Sequence, residues 1–454
     1  MIQSLTLNQH MRAVMVLGMP LAASHLAQLA VGVIDTIMLG WYGIEELAAV
    51  TLASTLFFMF LIMGSGPAWA LMPLVAEASE AGDDVRVRRV TRMALWFSVG
   101  FALLVLPFMW MSAPILQAIG QDTELSLLAQ DYLRIAGVGL VPALVVMSLK
   151  SYLSALEHTR IVLWATVLAA AMNGVINYAL IFGNWGAPEL GVRGAAIASV
   201  IIQIASGIVL VIYAQRLNRE QGLFIRLWKP DWDALRTLLR LGIPIGLTTL
   251  AEVGMFAAST IVVGLIGTLE LAAHGIALQI TAAFFMVHLG LSNTATVRAG
   301  RALGRKDEAG LRRGALAVTL VSLIFGGLTI FLFLGIPEPM IKLFLNPNEV
   351  RTTEIVALGT LLLIVAGLFQ LADGAQAIAM GLLRGVQDTR VPMIIAALSY
   401  WGVGIAMSYV LGIKLGYGAV GVWIGLLLGL TCAGIFMSWR FWRSSSRIGG
   451  PVPT

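Results

Sequence analysis

Residues 13–40 read AVMVLGMPLAASHLAQLAVGVIDTIMLG, an apolar run whose only acidic or basic side chain apart from His25 is Asp35. A helix needs about 20 apolar residues to cross a bilayer, and this run exceeds that. The same pattern recurs along the chain. Further apolar runs fall near 47–76, 91–114, 128–154, 160–182, 191–215, 237–265, 271–298, 313–336, 354–384, 391–412 and 418–442. Few of them show an amphipathic stripe, which suits helices bathed in lipid or buried in a bundle. Composition agrees: 59% of the 454 residues are hydrophobic and 12% charged, and the mean hydropathy is +0.89. Soluble domains carry roughly 25% charged residues. A chain so depleted in charge cannot cover itself with water-compatible groups, so lipid must be its solvent. The expected fold is an all-α integral membrane protein of twelve transmembrane helices.

The net charge of +5 does not point to nucleic acid, because the charges sit in loops between apolar runs. Of the 29 lysines and arginines, all but Arg134, Lys150, Arg193, Lys342, Arg351 and Lys414 fall at Arg12, in alternate loops or in the C-terminal tail. The intervening loops are richer in acid, as at Glu45, Glu46, Asp122 and Glu124. Basic loops stay in the cytoplasm. Both termini are therefore expected there, which requires an even number of spans, and the expected location is a bacterial inner membrane. The polar stretch before the first run is short and that run is long, so the first helix is expected to be retained rather than cleaved as a signal. The lone Cys432 excludes an intrachain disulfide.

Sliding the chain against itself by 224 positions exposes a repeat. Leu17-Gly18-Met19-Pro20 meets Leu241-Gly242-Ile243-Pro244, and Gly40, Gly43 and Glu46-Leu47-Ala48-Ala49 meet Gly264, Gly267 and Glu270-Leu271-Ala272-Ala273. Arg88-Arg89 falls on Arg312-Arg313, and at an offset of 230 Glu157-His158-Thr159-Arg160 resembles Gln387-Asp388-Thr389-Arg390. Six spans return the chain to its starting side, so the halves are parallel repeats, an architecture of transporters that rock two bundles about a central cavity. The expected organisation is an N-lobe over 1–215 (spans 1–6), a cytoplasmic linker over 216–236 and a C-lobe over 237–454 (spans 7–12), two pseudo-symmetric six-helix lobes.

Three acids lie inside apolar runs: Asp35 in span 1, Glu252 in span 7 and Asp373 in span 10. A charge at the bilayer centre costs at least ~2.5–3.5 kcal/mol on insertion scales, so each is a functional candidate. None has a lysine or arginine within one turn of its own helix. Each must then be protonated, bind a small cation or face water. In the repeat, Glu252 aligns with Gln28 and Asp35 with Ser259. The halves thus keep an acid on the same face of the first helix at levels ~10 Å apart. Asn173 and Asn177 share one face of span 5. They either complete an oxygen cage with Asp35 or hold helices together, and Ser199 on span 6 is a weaker member of the same cage. His25, His274 and His288 read as satisfied core histidines, and Lys150 as a side chain that snorkels to the cytoplasm. Prolines and glycines inside spans, such as Pro20, Gly66 and Pro244, permit bending and close packing alike. No GxxxxGK[ST], HExxH, CxxC or GxSxG motif is present, so no ATPase, hydrolase or cofactor chemistry is expected.

Gly32-Val33-Ile34-Asp35-Thr36-Ile37-Met38, the Glu252 segment, and Phe369-Gln370-Leu371-Ala372-Asp373-Gly374 leading into Leu383-Arg384-Gly385 and Gln387-Asp388-Thr389-Arg390-Val391-Pro392 together resemble the multidrug and toxic compound extrusion (MATE) family, in its bacterial NorM-like branch. The resemblance covers nearly the whole chain. It implies a monomer with a V-shaped cavity between two lobes, exporting bulky organic cations and drugs in exchange for Na⁺ or H⁺ by alternating access. It implies an N-lobe cation site at Asp35, Asn173 and Asn177, with Ser199 less certain, and a C-lobe site at Glu252 and Asp373. The substrate cavity would be lined by Asp35, Gln28, Phe285, Phe369 and Gln279. Some Na⁺-coupled relatives have a tyrosine where this chain has Phe369; losing that hydroxyl favours protons. The rival within transport is a lipid-linked oligosaccharide flippase, which needs cationic groups in its cavity for a diphosphate, whereas the mid-span ionisable groups here are mainly acidic.

Overall fold

The apolar runs fold as long helices, because a backbone surrounded by lipid must satisfy its polar groups within its own segment. A computed structural model of the chain describes residues 6–217, 222–225, 227–345 and 351–448. Span 1 is Leu7–Tyr42, span 2 Ile44–Glu80, span 3 Asp84–Trp110, span 5 Thr159–Phe182 and span 6 Gly191–Leu217. Spans 7 to 12 are Trp232–Gly264, Thr268–Gly304, Glu308–Gly335, Thr352–Gly385, Arg390–Lys414 and Gly418–Ser445. Span 4 is two pieces, Thr123–Ala136 and Leu140–Ala155, bent by 52°. Among the described residues this gives eleven unbroken spans, and twelve with the bent pair. No strand occurs among them. The chain is a multi-pass membrane protein, and its outward apolar side chains, such as Phe331 at 72% exposure, face lipid.

Two departures from the sequence reading have local causes. Span 4 was expected as one run over 128–154, but Gly137-Val138-Gly139 precedes Pro142, whose ring lacks a donor and clashes with the carbonyl four residues back. The helix therefore breaks and restarts. The helices also outrun the apolar stretches, because capping side chains rather than hydropathy set their ends. Asp83 accepts from the Arg86 amide and Asp307 from the Gly310 amide, satisfying donors of the first turn of spans 3 and 9.

These caps are repeat equivalents, and so are the turns beside them. Gly82 (φ 74°) matches Lys306 (φ 58°), and Glu157 (φ 64°) matches Gln387 (φ 63°), each in the left-handed region. Glycine takes that conformation freely, whereas the three longer residues carry strain of about 1 kcal/mol or more.

Packing divides the chain into two compact units, Ala23–Gly246 and Met1–Ala22 with Leu247–Thr454. The expected boundary at 216–236 follows the chain; the packing boundary follows contacts, and residues 218–221 and 226 of that linker lie outside the described residues. In the first unit the start of span 7 presses on span 2 so closely that a Cβ on Gly66 would meet the Gly242 carbonyl oxygen at 2.2 Å. In the second, the start of span 1 presses on span 8, and a Cβ on Gly290 would meet the Ala22 amide nitrogen at 2.5 Å. Gly66 and Gly290 are repeat partners, as are Ala22 and Gly246. Small residues permit this backbone approach in lipid, where dispersion replaces the hydrophobic effect as the glue.

Each unit has its own apolar core. Leu39, Leu116, Leu133, Leu144 and Ile181 centre the first, and Phe333, Phe369, Tyr400, Trp423 and Phe441 the second.

Candidate functional site

In the Ala23–Gly246 unit, span 5 brings its two amides onto the span 1 carboxylate. Asn173 Nδ2 donates to Asp35 Oδ1 at 3.0 Å and Asn177 Nδ2 to the same oxygen at 2.5 Å. Asn177 Nδ2 also reaches Asn173 Oδ1 at 2.8 Å. The helical spacing puts both amides on one face, and both are fully buried. Among the described residues, Asn177 Oδ1 is a buried acceptor with no hydrogen-bond partner. The donors on Asp35 are neutral, so they orient the carboxylate without cancelling its charge. An oriented carboxylate beside an unmatched amide oxygen offers the hard oxygen donors that suit a small cation.

Ser199 joins this neighbourhood indirectly. Tyr132 of span 4 shares hydrogen bonds with Ser54 and Ser199 and lies within electrostatic reach of Asp35. Neither Tyr132 nor Ser54 was singled out from sequence. A hydroxyl in an apolar run is common enough that only its position beside Asp35 marks it.

In the other unit, Asp373 is 3% exposed and its Oδ1 has no hydrogen-bond partner among the described residues. Glu252 lies close enough to repel it electrostatically. Two carboxylates that feel each other in a low-dielectric interior cannot both carry an uncompensated charge cheaply. Arg384 interacts with Glu252, and Tyr400 with Glu252, Asp373 and Arg384. Arg384 stands at the loop end of span 10, one residue before Gly385 and three turns after Asp373, and tertiary packing makes it a cationic neighbour of Glu252 from another helix.

Span 11 explains the position of Tyr400. Its segment Leu398–Ile405 is π-helical, and the wider turn re-aims side chains relative to a regular helix. Gln376 Nε2 donates to Tyr400 Oη at 2.5 Å, leaving Gln376 Oε1 buried and unmatched among the described residues. Gln370 Nε2 donates to the Thr281 carbonyl at 2.8 Å. Gln370 and Gln376 flank Asp373 by one turn each, a polar ladder on span 10 that was readable in the sequence.

The residues expected to line a cavity are placed variously. Gln28 and Gln279 are exposed, and Phe285 is half-buried on span 8. Phe369 is 2% exposed, packed against Trp423 at 5.3 Å and Phe256 at 6.1 Å between ring centroids. Tyr400 carries a hydroxyl and interacts electrostatically with both acids.

The histidines follow their expected structural role in two observed cases. Trp423 Nε1 donates to His274 Nδ1 at 3.0 Å, so His274 carries its proton on Nε2 and donates to Thr260 Oγ1 at 3.2 Å. His288 Nδ1 pairs with Ser322 Oγ at 3.0 Å.

A duplicated bundle of up to twelve spans among the described residues, with an acid held deep in each unit, is an architecture of membrane transporters. The family model described as MatE matches residues 20–179 and 244–410. The chain is 42% identical to a probable multidrug resistance protein NorM of Rhizobium meliloti over 442 residues, 97% of this chain and 94% of the relative. It is 42% identical to the protein of that name from Agrobacterium fabrum over 437 residues, 95% of this chain and 93% of the relative. Among solved structures, the outward-facing conformation of a multidrug resistance MATE family transporter superposes with a TM-score of 0.88 at 19% identity, covering 97% of each chain. The chain belongs to the MatE family, among its NorM-like members.

Proposed function

We propose that the chain is a secondary multidrug efflux antiporter, exporting organic, mostly cationic compounds in exchange for H⁺ or Na⁺ by alternating access. The observation that carries this reading is Asp35, a carboxylate deep in a span whose hydrogen-bond donors are two neutral amides. A charge so placed is stabilised when a mobile cation joins it, and a coupling ion and a cationic drug each do so while excluding the other. An inward ion gradient loads the acid from outside. Preferential ion binding to the outward-open conformer then releases the drug there, because differential affinity between conformers is what links two fluxes. Glu252 and Asp373 form the second ion-responsive centre, with Arg384 as a resident competitor for Glu252. Tyr400 supplies a hydroxyl near both acids, so Phe369 alone does not choose protons over Na⁺.

The names of the NorM relatives support multidrug resistance as the biological role. The chain would act as a monomer in the bacterial inner membrane with both termini cytoplasmic, in contact with lipid and with small-molecule drugs, and without a cofactor. The test is ethidium export from proteoliposomes under an imposed proton or Na⁺ gradient. Export driven by one gradient names the coupling ion, and export indifferent to both would remove the antiport reading.

A further inference from the structure

The outer end of the Ala23–Gly246 unit carries aromatic rings and carboxylates that the Asp35 site does not use. Tyr178 follows Asn177 directly on span 5. Its ring lies 5.2 Å from that of Trp185 at an interplanar angle of 59°, and 6.0 Å from that of Phe182. Tyr178 is 43% and Trp185 73% exposed. Tyr42 stacks edge-on against Phe182 at 6.0 Å and donates through Oη to Glu189 Oε1 at 3.1 Å. Glu46 lies within electrostatic reach of the same tyrosine. The nearby Arg193 is held by Asp131 at 2.7 Å. Glu189 itself packs against Gly183, on the loop that bears Trp185.

We propose that Tyr178, Trp185 and Glu189 form a second, shallow site for organic cations at the outer rim of this unit, a station between Asp35 and the external solution. The proposal rests on the reading of the chain as an exporter of such cations. Aromatic rings carry negative π faces, which attract a cation directly and without regard to its shape. Glu189 adds a full charge on the same loop. Tyr42 stands seven residues beyond Asp35 on span 1, two helical turns and so the same face, ~10 Å outward. A drug cation displaced from Asp35 by the coupling ion thus meets a weaker attraction one step further out. A weak outer station speeds release, because it lowers the barrier to leaving without trapping the drug. Rings at this level also suit an interfacial aromatic belt, and the carboxylate beside them is what a belt does not require.

Equilibrium dialysis of the purified full chain with labelled tetraphenylphosphonium tests the site, with the neutral triphenylphosphine oxide as competitor. The Asp35→Asn protein should retain a weak class of phosphonium binding that the neutral compound does not displace. Adding Trp185→Ala or the isosteric Glu189→Gln should weaken that class about two- to fivefold each, and Trp185→Phe should restore most of it. In vesicles Trp185→Ala and Glu189→Gln should raise KM for export of the phosphonium and leave it unchanged for uncharged substrates. Residual binding equal in all variants overturns the site and leaves the cluster as an interfacial anchor. A wild-type chain that binds phosphonium at this rim yet exports nothing would sink the exporter reading and leave the site standing.

Discussion

Asn177 donates to Asp35 across two helices, at 2.5 Å and over 142 residues of sequence. The pair is a carboxylate positioned by an amide that cannot neutralise it. Replacing Asp35 by Asn keeps the shape and deletes the charge. Ion-driven ethidium efflux in proteoliposomes should fall to the level of empty vesicles; a wild-type rate would take Asp35 out of the mechanism.

Asn177→Ala removes one charge-assisted hydrogen bond, a contribution of about 1.5–3 kcal/mol. The apparent affinity for the coupling ion should change by roughly ten- to a hundredfold, weaker for Na⁺, which loses the Asn177 amide oxygen, and tighter for a proton, which no longer competes with that hydrogen bond. Ion titrations of transport rate measure this, and an unchanged half-saturation would mean that the amides serve helix packing alone.

The close backbone approaches at Gly66 and Gly290 leave no room for a methyl group. Gly66→Ala and Gly290→Ala should each destabilise by about 1–3 kcal/mol through overpacking, and lower the melting temperature in detergent. Gly275, with nothing within 4 Å of its absent Cβ, is the control. Gly275→Ala should melt at or slightly above wild type.

Asp388 accepts from Arg440 Nε at 2.6 Å and Nη2 at 3.2 Å, and from Ser445 Oγ at 2.7 Å, fastening the span 10–11 turn to the end of span 12. The side chains of the ion pair are only 14% and 13% exposed. Arg440→Leu leaves Asp388 partly buried without its cation and should cost about 3 kcal/mol. The double variant Arg440→Leu/Asp388→Leu should recover part of that in a melting assay; a further loss would show that the pair stabilises beyond its burial.

Asp231, before span 7, hydrogen-bonds and pairs with Arg89, and that hydrogen bond holds its carboxyl below the usual carboxylate range. A depressed folded value means that the pair stabilises the fold above the unfolded carboxyl value of about 3.9. The contribution is lost as pH falls through the lower folded value. Melting curves between pH 3 and pH 7 should show a larger stability gap between wild type and Arg89→Gln at the neutral end, closing toward acid. A gap independent of pH would assign the Arg89 contribution to packing.

Much of this was legible in one dimension. The length of an apolar run and the placement of lysines and arginines depend on the solvent that each segment meets, so they foretold the spans without any contact being known. The caps at Asp83 and Asp307 and the left-handed turns at Glu157 and Gln387 follow the repeat in the structure, because cap and turn chemistry is local. Asp35, Glu252 and Asp373 stood out because a carboxylate in oil is anomalous wherever the chain goes next. The spacing of Asn173 and Asn177 gave them a common face, though not what that face meets.

What faces what was decided only by packing. Tyr132 beside Asp35, Tyr400 and Arg384 beside Glu252, and Trp423 on His274 join residues from different helices. Each helix is apolar on nearly every side, so periodicity names no inner face and composition names no neighbour. The exchange of the first halves of spans 1 and 7 between the two units was hidden for the same reason. Sequence fixes which segments enter the membrane, since that is a contest between one helix and lipid; the fit of small residues against backbone, helix on helix, settles which groups then meet.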